Sequence, residues 1–152
     1  MSMMMFLNLP VTDLERSKKF YVDLGFEVNP QFTDDSAACI VLDDGHLYVM
    51  LLTHDSYARF TNKSIVDSTT ASEGIFSISA DDRAAVDALA DRALAVCGSF
   101  SYEPQDMGFM YSRSFQDPDG HLWETVYMDL TAVPEHLPEL PNAAEGSVSP
   151  PR

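Results

Sequence analysis

Asp-Gly-His-Leu followed by an aromatic residue occurs twice in this chain. The copies are Asp44-Gly45-His46-Leu47-Tyr48 and, 75 positions later, Asp119-Gly120-His121-Leu122-Trp123. Each opens an apolar, β-prone run and reads as a turn feeding a strand. The second run carries Glu124 where the first has Val49. A chain that repeats itself must fold as a symmetric scaffold, and a polar side chain kept in only one half marks where the halves differ.

The surrounding elements repeat in the same order. A strand near 4–9 leads to a helix whose start carries Thr12 and Glu15 at capping-box spacing. Leu14, Phe20, Tyr21 and Leu24 form its apolar stripe, and Gly25 fits a left-handed end. Strand-like runs follow at 26–32, 37–42 and 47–52. The polar stretch 54–73 reads as a connection with a short helix near 55–60. The second half runs as a strand at 74–79, a helix at 81–97 closed by Gly98, and strands near 100–102, 110–115 and 122–128. Ser79 and Asp82 offer a capping pair for that helix. Gly25 and Gly98 stand 73 positions apart, close to the offset of 75, which supports duplication. The expected fold class is α+β: two tandem βαβββ modules, helices on the outer face, sheet curling round a cavity. One domain spans 1–131, with module one at about 1–53, a linker at 54–73 and module two at 74–131. The Pro-rich segment 132–152 reads as a tail.

The 152 residues suffice for a sizeable core. Net charge is −15, which repels phosphate backbones and predicts no nucleic-acid partner. The same field favours a cationic ligand. No apolar run reaches the roughly 18 residues of a membrane helix. The short run 3–9 lacks a basic segment before it, so a cytoplasmic location is expected. Cys39 and Cys97 have no metal-type spacing, and both are expected reduced and buried.

Three segments resemble the vicinal oxygen chelate superfamily, which includes glyoxalase I, extradiol dioxygenases and bleomycin-resistance proteins. They are Val11-Thr12-Asp13-Leu14-Glu15-Arg16-Ser17 running into Phe20-Tyr21, Leu24-Gly25-Phe26, and Asp117 through Glu124. The resemblance implies paired βαβββ modules, frequent homodimers and, in metal-dependent members, four inward side chains around a divalent ion. Those four positions fall on Phe6, on Leu51 or Val49, on Ile75 and on Glu124. One oxygen ligand among three apolar side chains is inadequate for a metal, which normally takes three protein ligands or several oxygens. No metal cofactor is therefore expected.

Alternation along the strands then proposes a small-molecule site. Phe6, Asn8, Leu51, Ile75, Ser77, Tyr111, Arg113 and Glu124 are its candidate ligand-binding residues, with Glu124 the candidate catalytic group. Arg113 reaches Glu124 only if the hairpin loop has four residues; a three-residue loop with a Gly120 bulge pairs position 114 with 124 instead. In that register Ser112 and Ser114 join the cavity. Trp123 and Tyr48 are read as packing against helices, and the histidines as turn or surface residues. The expected function is a metal-independent binder of a small organic molecule, in resistance or sequestration. Two readings compete: a glyoxalase-like lyase or isomerase, or dioxygenase-like enzyme, using Glu124 as acid or base or a nonstandard metal site; and a module whose role is assembly.

Overall fold

A computed structural model of the chain describes residues 2–139. Strand β1 (Met5–Val11) leads to helix α1 (Leu14–Asp23), followed by β2 (Glu27–Asn29), β3 (Ala37–Asp43), β4 (Leu47–Thr53) and the short helix α2 (His54–Tyr57). The second half runs β5 (Ile75–Ser79), α3 (Arg83–Ala95), β6 (Ser99–Phe100), β7 (Gln105–Asp106), β8 (Met110–Gln116) and β9 (Leu122–Met128). The α+β expectation is borne out. The strands form two mixed sheets, ordered β1-β4-β3-β2 and β5-β9-β8-β6, with β7 on β8 and no closed barrel. The tail beyond residue 139 lies outside the described residues.

The two longer helices, α1 and α3, are capped by aspartate. Asp13, not Thr12, accepts the Arg16 N–H at the start of α1, and Asp82 accepts the Ala85 N–H at the start of α3. Thr12 is occupied elsewhere. It donates its N–H and hydroxyl to one Asp119 oxygen at 2.8 and 2.7 Å. The buried Ser17 hydroxyl donates to the other oxygen at 3.0 Å.

That turn ties the halves together. Tyr21 donates to Asp117 at 2.6 Å, and Trp123 Nε1 donates to the Tyr21 hydroxyl at 3.0 Å. His121 Nε2 lies 2.8 Å from the Pro10 carbonyl, so that nitrogen carries the proton. Its Nδ1 faces the Ser68 hydroxyl at 3.3 Å. His121 is buried and its repeat mate His46 is exposed, beside Asp43. One core joins the modules, with Phe20, Tyr21, Leu51, Ala93, Phe115 and Trp123 in a single cluster. Cys39 is buried, but Cys97 is exposed, contrary to expectation, because it lies past the end of α3.

Burial pushes the Asp117 carboxyl above the usual carboxylate range, against the pull of His121 and the Tyr21 hydrogen bond. The folded state therefore holds this proton more tightly than the unfolded chain. The contribution of Asp117 to stability should fall as pH rises from the ordinary carboxylate value through the raised one. Asp117→Asn is expected to gain on the parent over that interval in urea melts. A constant difference between the two would show that Asp117 does not titrate this way.

Candidate functional site

The two copies of the repeat do not sit in equivalent places. Tyr48 pairs with Phe6 across β4 and β1, and their rings stack at 5.0 Å on the open face of the first sheet. Trp123 pairs with Phe76 and is buried on the helix side, against Tyr21. The expectation for Trp123 holds; that for Tyr48 is corrected. The helix caps Asp13 and Asp82 set the frame, 69 positions apart, which makes Asn8 the counterpart of Ser77. Asn8 pairs with Met50 and Ser77 with Glu124. The counterpart of Glu124 is therefore Met50, 74 positions earlier, and neither Val49 nor Leu51. Those two are wholly buried in the core. A slip of one residue exchanges the faces of a strand, so Leu51 is removed from the open face.

The hairpin register resolves the question of Arg113. Ser114 pairs with Glu124, and Arg113 pairs with Thr125. Arg113 thus points to the helix side, where it binds Asp87 at 3.1 Å and Asp91 at 2.7 Å. Tyr111 shares that side. Its hydroxyl donates to Asp87 at 2.7 Å, and Arg83 lies 5.0 Å over its ring. Arg83 also forks onto Asp106, pulling that carboxyl down to about 2. Tyr111 and Arg113 belong to this outer network and make no contact with Glu124.

The residues around Glu124 form a compact polar group on the open face. Ser77 donates to Oε1 at 2.7 Å. Tyr102 donates to Oε2. The segment 101–104 joins β6 to β7 along the edge of β8, and both backbone groups of Tyr102 are held by Ser114: the Tyr102 N–H donates to Ser114 Oγ, which donates back to the Tyr102 carbonyl, each at 3.0 Å. Burial and the Glu124 carboxylate raise the Tyr102 hydroxyl well above the usual phenol range. Ser112, opposite Gln105 of β7, is buried with an unpartnered hydroxyl. Leu122 and Val126, two residues to either side of Glu124 on β9, are half-buried, and Ile75 precedes Ser77 on β5 and is exposed. Phe6 and Asn8 stand on the open face of the other sheet, and Asn8 lines a cleft of about 760 Å³ with Phe76 and Leu122.

The repeat and the family resemblance pointed to Glu124, the resemblance to Ile75, and alternation along β5 to Ser77. Tyr102 had no comparable signal, because it lies between short strands and reaches Glu124 through the path of a loop.

Among the described residues no group of three or more His, Cys, Asp or Glu side chains is placed to hold a metal ion. The partners of Glu124 are hydroxyls that donate to it, and its counterpart is Met50. These residues do not fit the divalent ion that the resemblance implies. None of the ion pairs among the described residues includes Glu124.

Comparison with known proteins places this arrangement in context. The family model for the Glyoxalase/Bleomycin resistance protein/Dioxygenase superfamily matches residues 4–125. A search of curated proteins returned no match. Among solved structures, a hypothetical protein from S. aureus is 28% identical, with a TM-score of 0.68, covering 80% of this chain and 91% of that one. A family enzyme from Burkholderia phytofirmans is 19% identical, with a TM-score of 0.65 and coverages of 80% and 94%. A lactoylglutathione lyase from Agrobacterium tumefaciens is 22% identical, with a TM-score of 0.61 and coverages of 81% and 91%. The likeness to these last two is one of fold.

Proposed function

The chain belongs to the glyoxalase/bleomycin resistance protein/dioxygenase superfamily, and we propose that it binds a small organic cation on the open face of its second sheet. Glu124 is the anchor. The observation that carries this reading is a partly exposed carboxylate whose partners are neutral hydroxyls, with no cationic side chain among the described residues paired to it. Leu122 and Val126 on the same face of β9, with Ile75 on β5, offer apolar surface beside it, the composition expected of a small-molecule site. The acidic chain raises the local concentration of cations. Holding the molecule, as in sequestration, requires no more chemistry than this.

Benzylammonium supplies a probe with an ammonium and an apolar ring. Calorimetry should detect its binding to the parent protein. Glu124→Gln keeps the shape and removes the charge, and should weaken binding by roughly ten- to a hundredfold, the value of a hydrogen bond to a charged group. Equal affinity in parent and variant would remove Glu124 from the site.

The competing reading is an enzyme in which Glu124 moves a proton. The same exposure that admits a cation also admits a substrate proton within hydrogen-bond reach. Among the described residues the only titratable side chain hydrogen-bonded to Glu124 is the Tyr102 phenol, whose raised hydroxyl makes it a weak acid. That favours binding over turnover.

A further inference from the structure

Tyr102 occupies the carboxylate oxygen that an incoming ligand needs. We propose that Tyr102 is the specificity-determining residue of the Glu124 site, an internal ligand that a bound molecule must displace. This rests on the reading of Glu124 as an anchor and adds a rule for what is accepted there.

The argument starts from the geometry. One Glu124 oxygen takes the Ser77 hydroxyl, from the neighbouring strand of the same sheet. The other takes the Tyr102 phenol, delivered from the segment 101–104 that links β6 and β7 at the edge of β8. The two contacts differ in how they are held. Ser77 is fixed by strand register opposite Glu124. Tyr102 is held at its backbone by Ser114, so its ring can swing while the segment stays in place.

Displacement then selects by charge. A neutral hydroxyl compound offers Glu124 the same kind of bond that the phenol already makes, with no gain from the exchange. An ammonium also donates to the carboxylate and adds the Coulomb attraction of its own charge, which the phenol and an alcohol both lack. Tyr102 therefore sets a threshold that cations pass and alcohols do not. Removing its hydroxyl should lower the threshold for both classes.

The test compares benzylammonium and benzyl alcohol on the full chain and three variants: Tyr102→Phe, Glu124→Gln and the double variant. Tyr102→Phe keeps the ring and both backbone bonds to Ser114. It should bind benzylammonium about tenfold more tightly, the weight of one hydrogen bond to a charged group. It should also make benzyl alcohol binding measurable where the parent shows none. The double variant should lose both gains. Addition of benzylammonium to the parent should give a tyrosine ultraviolet difference spectrum as the phenol leaves the carboxylate, absent in Tyr102→Phe. Unchanged or weaker benzylammonium binding in Tyr102→Phe would overturn the displacement. If the parent still binds and Glu124→Gln does not, the anchor role stands without it. Failure of the parent and of Tyr102→Phe alike to bind benzylammonium would overturn both readings.

Discussion

Asp119→Ala is expected to lower stability by about 1–3 kcal/mol, the cost of orphaning the buried Ser17 hydroxyl, with the exposed Thr12 adding little. The parent carboxylate accepts three hydrogen bonds from the first module while sitting in the turn of the second. Alanine leaves the Thr12 N–H and the Ser17 hydroxyl, which is wholly buried, without acceptors. Arg16, 3.7 Å from the carboxylate, loses a partner as well but is partly exposed and adds little. Urea denaturation of the variant should show a lower midpoint. Asp119→Asn should recover part of the loss, because its amide oxygen keeps one of the two acceptors. A loss below about 1 kcal/mol for alanine, within the range of a minor surface change, would show that the turn does not pin the modules.

Gly120→Ala is expected to be comparably harmful for a different reason, and the repeat supplies its own control. Gly120 and Gly45 are the glycines of the two motif copies, with φ of +90° and +81°. Alanine at either costs about 1–2 kcal/mol for the left-handed backbone. A Cβ at position 45 meets nothing within 4 Å, whereas at position 120 it would stand 2.5 Å from the Ser68 carbonyl oxygen. The obstacle is backbone, so the linker must move, and His121 loses its contact with Ser68. The variant should lose about 3 kcal/mol or more, with Gly45→Ala losing only the backbone part. Equal melting temperatures for the two variants would mean that the linker yields freely.

The elements were legible because their signals are local. Alternation in β5 and β9, the capping signals before α1 and α3 and a Pro-Asp-Gly turn each act within a few residues, although the cap of α1 proved to be Asp13 and not Thr12. Ser77 was found by alternation, Glu124 by the repeat and the resemblance. Leu51 was misplaced because facing depends on register, and register depends on pairing across the sheet. The repeated motif suggested an offset of 75, while the strand partners give 74 through Met50. The β3–β4 hairpin carries an irregularity between Val41 and Asp43, just before the first copy. Tyr111 and Arg113 lie with the aspartates of α3 by the same rule: the bulged register, which the turn residues favoured, directs them outward. Tyr102 depends on where a loop travels, and no periodicity reports that.

The bonds from Thr12 to Asp119 span 107 positions. Closing so long a loop is entropically costly and comes late, since contacts near in sequence form first. During synthesis, α1 emerges long before the strands that receive Phe20 and Tyr21. Its apolar side waits for Phe115 and Trp123 while most of the chain is still being made. The first half cannot complete its fold alone, and a ribosome-bound fragment ending before residue 115 should behave as an aggregation-prone intermediate, with the exposed hydrophobic surface that chaperones bind.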